Sequence, residues 1–213
     1  MPLRIANIIS LVHKANIFEW VAEELSADKF SQVFILLHSE ETEFERNLRQ
    51  KGFTVYRIHY LNKKNMPSAV LKIIRILRKE KIKLVHTHLF DAGVGGQFAA
   101  WFCRIPKRIH TRHDATVNHD YYPNAVKYDK LTNRLATNII AISASVKEIL
   151  QELEQVPEQK ISIIHHGFKL QQFEKVQQTY VQKLISNYLP NGKTINVIKK
   201  ISRYMHWKGV QYT

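Results

Sequence analysis

Short apolar runs alternate with amphipathic stretches from Arg4 to His165, and that alternation restricts the chain to a narrow set of folds. The predicted strands are Arg4–Val12, Gln32–His38, Val55–Ile58, Leu84–His88, Arg108–His113, Ile139–Ser143 and Lys160–His165. Between them, Phe18, Val21, Ala22 and Leu25 share one face of a helical stretch. Glu43–Lys51 reads as a helix stopped by Gly52, which tolerates the left-handed conformation at a helix end. Pro67 sits where a first helical turn accepts it, ahead of the stripe Val70, Ile73, Ile74 and Leu77. Ala92–Cys103 and Tyr128–Asn138 are read as helices, and Ser145 to Glu148 as a capping box opening another. Strands and helices alternating at short intervals predict an α/β fold, a parallel sheet with helices on both faces.

The pattern changes after Phe173. Residues 174–193 are polar and glutamine-rich, with helical spacing at Val181, Leu184, Ile185 and Tyr188. Asn191–Gly192 then makes a turn before another strand-like run, Thr194–Ser202. The expected organisation is a first domain over 1–173, a linker helix over 174–193, and the start of a second domain over 194–213.

With 32 Lys and Arg against 18 Asp and Glu, the chain carries +14, which favours anionic partners. Nucleic acid is one such class, but no helix-turn-helix, RRM or zinc pattern accompanies the charge. Cys103 is the single cysteine, so no internal disulfide forms, in keeping with a reducing cytoplasm. No run approaches the roughly 20 apolar residues of a membrane span. The expected location is the cytoplasm, with a peripheral place on the inner face of the membrane as an extension of that reading.

Four segments concentrate chemistry-bearing residues. His86 and His88 share a strand face and, with His110 and His113, suggest either a metal site or the polar lining of a cleft at strand ends. Asp91-Ala-Gly-Val-Gly-Gly96 opens a helix, where its glycines serve either close helix–sheet packing or contact with an acceptor. The loop from Thr111 to Tyr122 is read as a surface connection or as an acceptor pocket. In the second case Arg112, His113, Asp114 and His119 supply charge, and Tyr121 and Tyr122 stack on a sugar or lipid. The helix around Ile73 carries Lys72, Arg75, Arg78, Lys79 and Lys83, either a solvated face or one drawn to anionic lipid.

Five segments in order give the chain a family likeness. They are Val-His-Thr-His-Leu-Phe-Asp91, Arg-Ile-His-Thr-Arg-His113, Ile-Ile-Ala-Ile-Ser143, Ile-Ser-Ile-Ile-His-His-Gly167 with Phe173, and Ile-Ser-Arg-Tyr-Met-His-Trp-Lys-Gly209. Together they resemble the group 1 pattern of glycosyltransferase family 4. The resemblance implies the GT-B fold of two facing Rossmann-like domains, the first holding the acceptor and the second a nucleotide-diphosphate sugar. It also implies transfer of that sugar to a glycan or lipid-linked acceptor, usually with retention, in cell-surface polysaccharide or glycolipid synthesis. No metal and no other cofactor is implied: basic side chains and a helix N-terminus stabilise the departing diphosphate.

By that resemblance His113 matches the family histidine beside the transferred sugar, orienting it while the leaving phosphate assists deprotonation. Arg203 and Lys208 match the pair that grips the donor diphosphate, with Gly209 after them. His88 and Asp91 fall on the acceptor side, and His166 and Gly167 on the interdomain motif. The likeness has departures: His166 replaces an Asn, Lys169 replaces an Asp, and Leu11-Val-His-Lys-Ala-Asn-Ile17 lacks the usual glycines. Lys199 and Lys200 interrupt the last strand-like run, and the Glu-x7-Glu donor motif expected beyond Lys208 is missing. The chain therefore reads as a catalytically incomplete half of a glycosyltransferase. The alternative is a non-catalytic remnant or a subunit that pairs with a separate donor domain.

Overall fold

The computed structural model describes residues 2–25, 27–170 and 178–188. The chain divides into two compact units, 1–168 and 169–213. In the first, β1 (Leu3–Ser10), β2 (Phe30–Leu37), β3 (Thr54–Ile58), β4 (Leu84–His88), β5 (Lys107–Arg112), β6 (Asn138–Ala141) and β7 (Ile161–Ile163) form one sheet. Its order is β3-β2-β1-β4-β5-β6-β7, and every neighbouring pair is parallel. The α/β sheet expected from the alternation is present, and its direction of growth reverses between β1 and β4. Ligands of open parallel sheets bind beyond the carboxyl ends of the strands at such a reversal.

The helices of this unit are α1 (Asn16–Glu24), α2 (Glu43–Gln50), α3 (Met66–Lys79), α4 (Phe90–Phe102), α5 (Val117–Tyr121), α6 (Val126–Leu135) and α7 (Ala144–Glu152). Right-handed crossovers sort them between the faces. One face carries Ala6, Ile8, Val33, Ile35 and Val85 against Ile73, Ile74 and Leu77 of α3 and Ala92, Ala99 and Ala100 of α4. Ile139 and Ala141 of β6, on the same side of the strand as their register neighbour His110, pack on Val146 and Leu150 of α7. The opposite face packs Ile9, Phe34 and Leu36 against Ala22 of α1 and Phe44 and Leu48 of α2. Among the described residues of the first unit, α1 and α2 are the helices on that second face, and they serve β1 to β3.

Local chemistry sets the helix ends. Thr42 Oγ1 accepts from the Glu45 amide at 3.1 Å to start α2, and Gly52 (φ 83°) ends it, as the glycine predicted. For α7 the cap is Ser143, whose hydroxyl accepts from the Val146 amide at 3.2 Å, and the expected Ser145 lies inside the first turn. The α1 face also differs from expectation. Val21 is exposed, whereas Glu19 is buried because Lys51 Nζ lies 2.6 Å from its carboxylate and Asn47 Nδ2 donates to it.

The glycines opening α4 serve packing. A Cβ on Gly96 would lie 2.7 Å from the Thr87 methyl, and one on Gly93 would lie 2.8 Å from the His110 ring. At the carboxyl ends of β1 and β4, Leu11 (φ 54°) and Leu89 (φ 68°) adopt the left-handed conformation that glycine takes without cost. The first loop therefore makes its turn without the glycines expected there. Ser10 Oγ accepts from the Ala92 amide at 3.2 Å, tying the end of β1 to the N-terminus of α4. Of the second unit, the described helix is α8 (Gln178–Tyr188), within the stretch read as a linker helix.

Candidate active site

A cavity of about 400 Å³ lies on that second sheet face of the first unit, beneath α1. Its floor alternates with the strands. Ile5, Asn7 and Ile9 come from β1, Leu84, His86 and His88 from β4, Ile109 and Thr111 from β5, and Ile140 from β6. Phe18 and Ala22 of α1 form its roof, and His113, His166 and Gly167 stand where the strands end. The period of two along each strand explains why these side chains converge while Thr87 and His110 point to the other face.

The polar groups are arranged in pairs. Asn7 donates to Gln32 Oε1 at 3.2 Å, and Gln32 in turn donates to the Ala22 carbonyl at 2.8 Å. His86 Nε2 lies 2.7 Å from Thr111 Oγ1, and His88 Nδ1 lies 3.2 Å from His113 Nε2. The His113 and His166 rings stack with centroids 5.3 Å apart, and Phe18 places its ring 4.7 Å from His88 and 5.8 Å from His113. Burial pushes the His113 imidazole down to about 4, with the neighbouring His166 adding to the effect. Burial, then His113, brings His86 to about 4 as well, and burial first holds His88 well below its ordinary range. At neutral pH His86, His88 and His113 are therefore uncharged imidazoles, and the His88–His113 contact pairs one donor with one acceptor. Such rings offer hydrogen bonds and a flat stacking surface to a neutral hydroxylated ligand without a fixed charge.

His110 lies outside this cluster. Its Nδ1 is 3.0 Å from Thr87 Oγ1 on the opposite sheet face, where burial, followed by Arg112, lowers it to about 3. The four-histidine grouping read from sequence is thus split by strand alternation, and His166 joins in place of His110. Among the described residues no three His, Cys, Asp or Glu side chains are placed to hold a metal ion.

Of the expected acceptor and interdomain residues, His88, His113, His166 and Gly167 line the cavity. Arg112, Asp114, His119, Tyr121, Tyr122 and Asp91 do not. Arg112 alternates to the other side of β5, where its guanidinium meets Asp129 Oδ1 at 2.8 Å and Glu154 Oε1 at 3.0 Å. His119 Nε2 lies 3.1 Å from the same Glu154 oxygen, and Asp114 offers its backbone carbonyl to Arg112 Nε at 3.1 Å. These groups tie the chain leaving β5 to α6 and to the end of α7, and they hold the backbone that presents His113. Tyr121 and Tyr122 are exposed on and beside α5. Asp91 stands beside Tyr60 at the start of α4, where burial raises its carboxyl. Phe18, Asn7, Gln32 and Thr111 are not among the site residues expected from the sequence, which placed Phe18 only on a helix face and Thr111 only at the start of the polar loop. A polar side chain inside an apolar strand run marks Asn7, Gln32 and Thr111, but Phe18 has no such signal. Arg203, Lys208 and Gly209 lie outside the described residues.

Comparison with known proteins places this geometry in a lineage. Over 114 residues the chain is 29% identical to the Escherichia coli UDP-Gal:alpha-D-GlcNAc-diphosphoundecaprenol alpha-1,3-galactosyltransferase, covering 52% of this chain and 29% of that protein. Over 153 residues it is 28% identical to the Staphylococcus aureus capsular polysaccharide biosynthesis glycosyltransferase CapM, covering 67% of this chain and 38% of that one. Anabaena HepE, solved with UDP and glucose, superposes with a TM-score of 0.69 at 16% identity, over 87% of this chain and 50% of HepE. Acinetobacter baumannii MurG gives 0.59 at 12% identity, over 90% and 56%. The structural likenesses are of fold, and the chain spans about half the length of those structures and less of the curated relatives. The family model for Glycosyltransferase Family 4 matches residues 21–172, and the chain, with the GT-B half-fold and the histidine-lined cleft at its strand ends, belongs to that family.

Proposed function

We propose that this chain forms the acceptor side of a sugar transferase that moves a hexose from a nucleoside-diphosphate donor to a glycan or lipid-linked acceptor. The observation that carries the reading is the His88–His113–His166 group of hydrogen-bonded and stacked rings, at the carboxyl ends of the strands beside the reversal of sheet order. Relatives whose names specify a diphosphoundecaprenol acceptor and capsular polysaccharide synthesis support that acceptor class. The UDP complexes of HepE support a uridine nucleotide donor. A lipid-linked acceptor also puts the work at the inner face of a membrane.

In this reading the acceptor sugar stacks on His166 and His113, and the His113 ring nitrogen not turned to His88 bonds a hydroxyl of the transferred sugar. Arg203 and Lys208, with the backbone at Gly209, would hold the diphosphate. Retention follows if attack comes on the face the diphosphate leaves and the departing phosphate takes the acceptor proton. His113 then orients the sugar and removes no proton.

The test combines binding and transfer. Acceptor binding is read from the histidine ring protons with a soluble diphosphate-linked saccharide, and transfer from labelled UDP-sugars supplied with membranes that bear lipid-linked saccharides. His113→Ala is expected to abolish the ring-proton response at His166 and to lower transfer about 100-fold, the scale of a lost positioning contact. Normal transfer and normal acceptor binding by His113→Ala would overturn the assignment.

A further inference from the structure

His113 can offer a ligand only what its own proton leaves it, and no acidic group stands behind the ring to place that proton. Its Nε2 lies 3.2 Å from His88 Nδ1, so Nδ1 is the nitrogen left for a ligand. Commonly a carboxylate behind such a ring accepts its N–H and fixes the tautomer. Among the described residues the histidine that meets a carboxylate is His119, on Glu154, outside the cleft. Burial and neighbouring histidines are the causes acting on His88 and His113, and no carboxylate is among them.

A second neutral imidazole in that place leaves two arrangements. Either His88 Nδ1–H donates to a bare His113 Nε2, or His113 Nε2–H donates to a bare His88 Nδ1. The first puts the His113 proton on Nδ1, where it meets a ligand as a donor. The second leaves Nδ1 bare, as an acceptor and a base. The surroundings of His88 decide between them. The ring is 8% exposed, with the His86 ring centred 4.0 Å from it and the Phe18 ring 4.7 Å. His86 turns its Nε2 to Thr111 Oγ1 at 2.7 Å, and among the described residues no group hydrogen-bonds to His88 Nε2. A proton on His88 Nε2 would therefore make an N–H without a protein acceptor, which folded proteins avoid more strictly than an unused lone pair. The proton belongs on Nδ1, and the contact then runs from His88 to His113.

We propose that His88 is a positioning residue: it donates from Nδ1 to His113 Nε2 and so holds His113 in the Nδ1–H tautomer, a hydrogen-bond donor toward its ligand. In that state His113 gives a hydrogen bond to a ligand oxygen and has no lone pair there to take a proton. A sugar oxygen with a free lone pair fits this N–H, and an ammonium or other donor-only group at the same point does not. For its effect on transfer the inference rests on the reading that sets His113 beside the transferred sugar. The tautomer itself is read with no substrate present.

The experiment is nitrogen-15 NMR of the whole chain, labelled at histidine, at pH 7, with His88 and His113 assigned from single variants. The expected spectrum gives both rings a protonated Nδ1 and a bare Nε2. His88→Phe removes the donor, and His113 should lose its single tautomer and show averaged shifts. His88→Asp puts an acceptor-only group there, and His113 should turn over to Nε2–H with Nδ1 bare. A purely structural role for His88 would move neither signature in variants that melt like the parent. Transfer by His88→Phe should fall about tenfold, the worth of one hydrogen bond. A bare Nδ1 on His113 in the parent chain, or an unchanged His113 tautomer in both variants, would overturn the proposal. The reading of His113 at the sugar fails by transfer and acceptor binding instead, so the two failures are distinct.

Discussion

A guanidinium left only 3% exposed must have its charge answered inside the protein, and Arg112 shows what that requires. Asp129 and Glu154 both reach it, with Asn118 donating to Asp129 at 2.7 Å and Asn133 donating to Glu154. Removing one member of such a cluster strands the others. Arg112→Ala is expected to destabilise the fold by about 3–5 kcal/mol, because two buried carboxylates lose their counter-charge. Arg112→Ala/Glu154→Gln should recover part of that loss, and urea denaturation of both variants measures it. Full stability of the single variant would mean that the carboxylates are answered by another group. From sequence, Arg112 and His119 looked like ligands for an acceptor because they sit in a polar loop next to His113. The buried carboxylates they meet, Asp129 and Glu154, are 17 to 42 positions away along the chain, and only the tertiary fold brings them together. The places of His88 and His113 were legible for the opposite reason: strand alternation and strand ends are local properties, and they direct these rings toward the cleft.

At the scale of elements, periodicity carried most of the information, and the errors fell where a tertiary contact overrode it. Strand β4 spans the LVHTH run itself, since an apolar stretch with turn signals on both sides leaves little freedom in its ends. Helix α4 tests the packing argument. A Cβ at Gly96 would press on the Thr87 methyl at 2.7 Å and on the Ile8 Cδ1 at 3.0 Å, two stiff β-branched side chains in the core. Gly96→Ala is expected to cost about 1–3 kcal/mol as the helix is pushed off the sheet. At Gly95 the neighbour is the Met66 sulfur, the far part of a flexible chain, so Gly95→Ala should gain helix propensity at little steric cost. Thermal melting of the two variants separates them, and equal melting points would show that α4 is free to shift. The glycine run suggested packing or ligand contact with equal force in the sequence. The distances decide for packing, because every Cβ vector in the run meets protein.

For the whole molecule, the sheet with its two helical layers gathers a group of histidines whose titration is coupled to folding. His86 and His113 are held near 4 and His110 near 3, with burial the first cause for each, against an ordinary value of 6.5. A depressed folded-state value means that the unfolded chain takes up protons first as pH falls. Stability is therefore fully present above about pH 6.5, and it declines as pH drops toward the folded values near 4. Each histidine contributes a slope of up to about 1.4 kcal/mol per pH unit in that window. The sites lie on both faces of one sheet, so the loss is expected as a single cooperative transition. Charging both His113 and His88 sets like charges across a 3.2 Å contact, which adds to the loss within that same transition. Denaturant midpoints at pH 7, 6 and 5 should fall steadily, and His86→Gln should flatten the curve by close to one proton's slope. The ring-proton titration of His113 should stay flat through pH 6 and move only near 4. A midpoint independent of pH across this window would mean that these imidazoles are solvated in the folded protein, and the cleft that His86 and His113 line would then be an open surface.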